Sequence, residues 1–289
     1  MGVAVVELRH GPLHARVLPA LGGALGSFDI ERAGSRQNLL RPAPDDADDP
    51  LQTACFPMAP FCGRIHADGF VFGGHRVQLP PMPPSTTTPL HGLVWRAPWQ
   101  IVARDPAKVE IRCAYPGSHW PWPFVASQTF ELDERGLAIE LSLRNTGPGP
   151  MPCGLGLHPY FPCAAGTRLN ARVARRLRHD AAQIACGHEA AADFLHQPVH
   201  GLGLDHSYDG WDGQLLVEDA AGPRLRLRAT TPMTRLHLYT PTGEGFFCAE
   251  PMSHQVNALT LDEPAALAAG LQVLAPGAST RLCVRFELP

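Results

Sequence analysis

One histidine, His158, stands in a segment that restricts both its position and its direction. Gly154 and Gly156 let other groups approach this segment closely, and Pro159 biases His158 towards an extended backbone. Tyr160 follows with a flat aromatic face that suits a core or a sugar ring. An imidazole exchanges protons near neutral pH. A histidine in an apolar run is more often a core residue, so its role depends on the polar residues that accompany it.

Four further segments place an ionisable residue beside glycine, proline or aromatic residues. Arg64 follows the rigid stretch PFCG, His91 begins HGLVW, and Asp205 begins DHSYDGW. Their simplest interpretations are a surface arginine, a turn histidine and an Asx turn. Glu250 ends the apolar run FFCA, which predicts a buried strand. A carboxylate there needs either a function or a partner such as a core arginine.

Taken together, these segments suit carbohydrate chemistry. Sugars present apolar C–H faces and many hydroxyl groups, which aromatic rings and charged hydrogen-bonding side chains recognise. The other histidines, His254 among them, are interpreted as surface or turn residues.

The composition is that of an ordinary globular protein and argues against several classes. The chain has 289 residues, 45% hydrophobic and 18% charged, with a net charge of -3. It lacks the basic character of nucleic-acid-binding proteins, and no apolar run has the length of a membrane span. The first ten residues do not resemble a signal peptide, and the eight cysteines have no zinc-finger spacing. We therefore expect reduced thiols, a cytoplasmic location, and neither nucleic-acid nor membrane partners.

Alternation of apolar and polar residues predicts many short β-strands joined by glycine and proline turns. Helical patterns are scarce: residues 263–269 predict a short helix ended by Gly270, and 181–195 is alanine-rich but poorly periodic. The strand pattern is clearest at 3–8, 14–18, 109–113, 127–132, 137–143, 215–218, 225–228, 236–239 and 281–286.

This pattern predicts an all-β protein, a large antiparallel β-sandwich with few short helices. Similar strand patterns lie on both sides of the proline-rich loops, so we expect residues 1–289 to form a single domain. The loops at 45–52 and 79–89 are candidates to cover a cleft. We expect a monomer or a homodimer.

The five motifs together resemble those of the aldose 1-epimerases, also called galactose mutarotases. PFCGRI, HGLVW, GLGLHPYF, DHSYDGW and AEPMSHQVNA follow the family's order and span most of the chain. Residues 20–30, with the run GGALGSF, are also similar to the family's N-terminal strands. Five motifs in order are much more specific than any one of them.

The resemblance implies a galactose mutarotase-like supersandwich with an open sugar cleft. It also implies an isomerase that interconverts the α and β anomers of a free aldose without a cofactor. By motif position, His158 matches the general acid and Glu250 the general base. Arg64, His91 and Asp205 match the residues that hold and orient the sugar. Acid–base ring opening would then require a protonated His158 and an ionised Glu250.

The sequence departs from the family's pattern at Gly63, where better-known members usually carry asparagine. A polar contact to the sugar is then missing, which counts against galactose itself. Residues 119–124, HWPWPF, resemble bacterial paralogues of uncertain substrate. The arginine-bearing motif of the related hexose-6-phosphate epimerases is not found, so we rank a neutral sugar above a sugar phosphate.

Three alternatives stay open at this point. His91, His158 and Glu250 could form a two-histidine, one-carboxylate metal site for iron or zinc. Asp205 and Glu250 could be the carboxyl pair of a glycoside hydrolase, which leaves both histidines unexplained. A non-catalytic sugar-binding module would need the aromatic residues and Arg64 but no acid–base pair. Because both candidate catalytic residues are present, we favour the enzyme, with no metal and no cofactor.

Overall fold

The computed structural model describes residues 5–66, 69–181, 185–230 and 233–289, and antiparallel β-strands dominate this part of the chain. Side chains of a strand alternate between its two faces, which matches the period-two patterns of the sequence. Within the described residues, eleven strands form the largest sheet, sheet A: β1 (Val6–His10), β2 (Leu13–Leu18), β3 (Ala24–Arg32), β4 (Ser35–Asn38), β5 (Cys55–Met58), β13 (Gly156–Pro162), β15 (Arg175–His179), β16 (Ala185–Ala190), β18 (Asp205–Asp209), β21 (Arg235–Tyr239) and β22 (Phe246–Met252).

A second sheet, sheet B, contains nine strands in the same described ranges: β8 (Gln100–Arg104), β9 (Lys108–Tyr115), β10 (Phe124–Asp133), β11 (Gly136–Asn145), β14 (Arg168–Ala171), β17 (Phe194–Pro198), β19 (Gln214–Asp219), β20 (Gly222–Ala229) and β24 (Ser279–Glu287). Two short two-stranded sheets complete the described strands: the hairpin of β6 (Phe70–Phe72) with β7 (His75–Val77), and the long-range pair of β12 (Met151–Cys153) with β23 (Gln272–Leu274). The helical elements described are α1 (Glu263–Ala268) and 3-10 turns at Pro50–Gln52, Val94–Arg96 and Ala258–Thr260.

The two large sheets bury one face each in a shared hydrophobic core. Leu236 and Leu238 of β21 and Ala249 of β22 are fully buried in the same core cluster as the inward residues of sheet B. The Phe161 and Phe286 rings, one from each sheet, lie 6.3 Å apart between centroids. The alternate residues of β21 and β22 therefore project from the opposite face of sheet A.

The structure confirms the predicted all-β class and the strand patterns. Eight of the nine predicted segments lie within strands, and the ninth overlaps β1 but begins outside the described residues. The short helix also forms: α1 begins after Asp262, which caps it, and ends before Gly270, which has a positive φ of 86°. In the alanine-rich segment 181–195, residues 182–184 lie outside the described residues, residues 185–190 form β16, and β17 begins at residue 194.

The eight cysteines all lie in the described part of the chain and are free thiols. Five of them are buried, which fits the role of small apolar residues, whereas Cys186 is exposed. Burial raises the pKa of Cys62 and Cys248 well above the ordinary value, so both thiols stay protonated. Among the described residues, no helix has both the length and the apolar character needed to cross a membrane.

Candidate active site

A row of side chains crosses five neighbouring strands of sheet A, in the order β5, β13, β22, β21 and β18, on the face turned away from sheet B. The strand register pairs Phe56 with His158, Glu250 with His237, and His237 with Ser207. Between β13 and β22, Gly156 pairs with Met252 and Tyr160 with Cys248, which places His158 opposite Glu250. Directly paired residues project to the same side of a sheet. The row therefore brings these side chains together although they are far apart in sequence.

His158 and Glu250 form a buried pair at the centre of this row. The Nε2 atom of His158 lies 3.2 Å from Oε1 of Glu250, and the two side chains are 8% and 3% exposed. The imidazole ring is stacked between Phe56 and Tyr160, with centroid distances of 4.4 and 4.8 Å. These rings fix the plane of the imidazole and so keep its Nε2 atom beside the carboxyl group of Glu250.

The glycines before His158 make room for the side chains that support the site. A Cβ at Gly154 would overlap the His254 ring, and one at Gly156 would lie 2.6 Å from Cε of Met58. His254 was expected to be a surface or turn residue; it lies at a bend just after β22, and it is buried. Its Nε2 accepts a hydrogen bond of 3.0 Å from the Cys62 N–H. His254 thereby links the segment after Glu250 to the segment before Arg64, and its ring fills the space beside Gly154.

Loops supply the opposite side of the cleft. The His91 N–H donates to the carbonyl of Gly63 at 2.9 Å, and the Gly63 N–H donates to Nδ1 of His91 at 3.3 Å. His91 has a positive φ of 58°, and a Cβ at the following Gly92 would overlap the Ala59 carbonyl. Arg64 donates to Oγ1 of Thr88 at 3.4 Å. The backbone at Gly63 therefore fixes the ring of His91 beside the guanidinium of Arg64.

Asp205 is held by a histidine that the sequence did not single out. Nε2 of His237 lies 3.0 Å from Oδ1 of Asp205, and its Nδ1 lies 2.8 Å from Oγ of Ser207. The strand RLHLY offered one signal, a polar residue in the phase opposite to two buried leucines. That phase alone does not distinguish a site residue from a solvent-exposed one.

These residues line one cavity of about 340 Å³, at the lower end of the ~300–1,000 Å³ typical of ligand pockets. The lining contains all five predicted site residues, Arg64, His91, His158, Asp205 and Glu250, together with His237. The remaining wall is mostly apolar or aromatic: Leu51, Gly63, Pro84, Leu90, Tyr160, His179, Tyr239, Phe246, Met252 and Val256.

The two loops considered as covers each contribute to the wall of this cavity. Leu51 comes from the loop at 45–52 and Pro84 from the loop at 79–89. Nη2 of Arg96 donates to Oδ2 of Asp49 at 3.1 Å and to the carbonyl of Pro83 at 3.1 Å. The arginine therefore links the two loops on one side of the cleft.

The ionisable groups of the cleft differ in the direction in which their surroundings shift their pKa values. Burial lowers the pKa of His91 to about 3 and that of His158 well below its ordinary value, so both are neutral at rest. Burial raises the pKa of Glu250 to about 7, against the opposing charge of His237. Burial also opposes the charge on His237, but Glu250 and Asp205 raise its pKa above the ordinary value.

Asp205 stays ionised. Burial alone would raise its pKa, but the hydrogen bond and the charge of His237 bring that pKa below the ordinary value. The cleft therefore combines a fixed anion and a cation-favouring histidine with a Glu250 that gains or loses its proton near pH 7.

His91, His158 and Glu250 also have the composition of a metal site. One ligand atom of each residue lies within 4.8 Å of those of the other two, and all three residues are buried. The hydrogen bond from Gly63 to His91 argues against coordination. A neutral imidazole that accepts at Nδ1 carries its proton on Nε2, which leaves no free lone pair for a metal. The geometry instead presents His91 to the cleft as an N–H donor.

Comparison with known proteins gives the family. The sequence model of the family described as aldose 1-epimerase matches residues 4–287 of this chain. The chain belongs to the aldose 1-epimerase family. It is 28% identical to the uncharacterized protein YphB of Escherichia coli (strain K12), with 96% of each chain covered.

Solved structures of similar proteins confirm the galactose mutarotase-like fold. A protein of Escherichia coli K12, described provisionally as an aldose 1-epimerase, has a TM-score of 0.86 at 26% identity, with 99% of each chain covered. A galactose mutarotase-like protein of Clostridium acetobutylicum has a TM-score of 0.84 at 16% identity, covering 100% of this chain and 99% of that one.

One departure of this aldose 1-epimerase homologue from its family has a structural reason. Gly63 has a positive φ of 68°, and a Cβ at this position would lie 2.7 Å from Cγ2 of Val256. Val256 itself lines the cavity. The space that an asparagine side chain would need is therefore taken by an apolar group, which makes this part of the cleft wall apolar.

Proposed function

We propose that the protein is a mutarotase, which interconverts the α and β anomers of a free aldose by opening and reclosing the sugar ring. Opening requires that one proton reach the ring oxygen while another leaves the anomeric hydroxyl. Reclosing on the other face of the rotated aldehyde gives the other anomer. A positioned acid and base accelerate such proton transfers by roughly 10²–10⁴-fold.

The single observation that carries this proposal is the buried contact of 3.2 Å between His158 and Glu250 at the wall of a cavity of sugar size. Glu250 as a carboxylate takes the proton of the anomeric hydroxyl, and His158 as an imidazolium gives its proton to the ring oxygen. Both protons return when the ring closes. The two groups therefore end each turnover as they began it.

The resting protonation of this pair differs from the one that the sequence led us to expect. Burial disfavours the charged form of both partners, so it lowers the pKa of His158 and raises that of Glu250. The pair nevertheless holds one transferable proton below about pH 7, and such coupled groups titrate as a unit. Reaction in the proposed direction begins when this proton passes from Glu250 to His158.

Residues around the pair supply the hold on the sugar. Arg64 and the ionised Asp205 offer charged hydrogen bonds to hydroxyl groups, and His91 offers its Nε2–H. Tyr160 and Phe246 provide aromatic surface at the cavity wall. Arg64 is the one arginine among the described lining residues, and the other cation-favouring group, His237, is already engaged by the ionised Asp205. The lining therefore offers a phosphate one guanidinium and a fixed anion, which supports a neutral monosaccharide over a sugar phosphate.

The proposal is tested by following the optical rotation of freshly dissolved α-galactose and α-glucose. Three samples are compared: wild type, Glu250→Gln, and buffer alone. We expect the wild type to accelerate the decay for at least one aldose and Glu250→Gln to lose that acceleration, because an amide cannot accept the proton. Binding of sugar without acceleration by the wild type would instead indicate a binding module.

A further inference from the structure

His237 joins the two halves of the cleft. It lies opposite Glu250 on one neighbouring strand and opposite Ser207 on the other. Both of its ring nitrogens are engaged, Nε2 with Asp205 at 3.0 Å and Nδ1 with Ser207 at 2.8 Å. The serine hydroxyl can accept from a protonated Nδ1 or donate to a neutral one, so the contact permits either form of the ring.

The charges around His237 favour its cationic form. The negative groups that face it, Asp205 and Glu250, lie on strands β18 and β22, on either side of β21. The one positive group described as acting on it is Arg64. The remaining titratable groups that interact with it are histidines whose pKa values are lowered: His91, His158, His179 and His206.

We propose that His237 is a positioning residue for the mutarotase reaction: as an imidazolium it orients Asp205 towards the sugar and draws the shared proton from Glu250 onto His158. This inference rests on the proposed function, since it assigns a role within that reaction. His237 lies outside the five sequence motifs, and its proposed role follows from the strand register and its two hydrogen bonds.

Distance decides the direction in which the charge of His237 acts on the pair. Neighbouring strands lie about 4.8 Å apart, so His237 is one strand spacing from Glu250 and two from His158. A positive charge on His237 therefore stabilises ionised Glu250 more than it destabilises protonated His158. The pair gains the charged form that proton delivery to the ring oxygen requires.

The test compares kcat and KM across pH for wild type and His237→Gln, using an aldose that the wild type accepts. Glutamine keeps an N–H donor for Asp205 but carries no charge. We expect kcat to fall about tenfold. The alkaline limb of the kcat–pH profile should move up by about one pH unit, which is the pKa shift expected from one neighbouring charge. The limb moves upward because the pair holds its proton more tightly once the cation is gone.

A matched control is His188→Gln. His188 also contacts an aspartate of β18, Asp209, at 2.9 Å, but it does not line the cavity. This variant should keep the wild-type pH profile. If the alkaline limb of His237→Gln coincides with that of an active wild type, the role of His237 is wrong and the mutarotase proposal stands. If the wild type accelerates no aldose, both are wrong.

Should His237→Gln fail to fold, the wild type itself provides the test through the side-chain ¹⁵N resonances of its histidines. His237 should carry protons on both nitrogens at pH 6.5, the ordinary pKa of a histidine, because its own pKa is raised above that value. Its pKa should fall in Glu250→Gln, because coupling between two sites is reciprocal. A neutral His237 at that pH, or a titration that Glu250→Gln leaves unchanged, overturns the proposal.

Discussion

The strand-borne and loop-borne sides of the cleft are held in different ways. His158, Glu250 and His237 lie on three adjacent strands, where the ladder of sheet A fixes their spacing. Arg64 and His91 lie on loops, where two hydrogen bonds to Gly63 and one to Thr88 hold them. In the proposed reaction, the strand side carries the groups that exchange protons, and the loop side shapes the space for the sugar. Chemistry and selectivity are therefore expected to respond to different substitutions.

The largest effect is expected from His158→Gln, on the strand side. Glutamine fills similar space but cannot give up a proton at neutral pH, so kcat should fall by roughly 10²–10⁴-fold with KM little changed. Steady-state kinetics by polarimetry measures both constants. Arg64→Gln, on the loop side, should mainly raise KM. A kcat that survives His158→Gln, or that falls equally in both variants, would contradict the division between the two sides.

A second effect concerns Glu250, whose raised pKa makes the free energy of unfolding depend on pH. Burial raises its pKa from 4.5 to about 7, so the folded state binds a proton that the unfolded state has released between these values. This contribution to the free energy of unfolding is present below pH 4.5 and is lost as the pH rises through about 7. The loss is about 3 kcal/mol from a shift of this size.

The buried histidines act in the opposite sense, since their lowered pKa values cost stability at low pH. The measurement is therefore the difference between wild type and Glu250→Gln in urea unfolding at pH 5 and at pH 8. Glu250→Gln has no such titration, so it should gain stability relative to the wild type as the pH rises. A difference that does not change with pH would show that Glu250 keeps an ordinary pKa.

Strand patterns and motif order predict a large part of this molecule, and the physical reason lies in local periodicity. Segments such as β10 and β11 alternate cleanly because one face is buried against the core. The segment that forms β16 has no buried residue in its pattern, so it carried no period that could be detected. Local periodicity cannot identify His237, because its neighbours are set by the strand order of sheet A, which places it between Ser207 and Glu250 and within reach of Asp205.

On the loop side, Gly63→Asn tests whether the family's usual residue fits this chain. Its Cβ would lie 2.7 Å from Cγ2 of Val256, and overpacking of this kind typically costs about 1–3 kcal/mol. We expect the free energy of unfolding to fall by that amount and KM to rise, since Gly63 also holds His91. Adding Val256→Ala to Gly63→Asn should restore most of the lost free energy of unfolding. A single variant as stable as the wild type would show that the loop shifts freely.

The smallest effect is expected from metal removal. It tests whether His91 of the loop side joins His158 and Glu250 of the strand side in one metal site. A metal bound by His91, His158 and Glu250 would need a free Nε2 lone pair on the loop-borne histidine, but the Gly63 N–H binds Nδ1 and leaves the proton on Nε2. Protein without a histidine tag should therefore keep its full rate after treatment with a chelator, and added zinc should not raise it. A rate lost on chelation and restored by zinc or iron would mean that His91 adopts the other tautomer. The loop side would then belong to the chemistry, and the division between the two sides would fail.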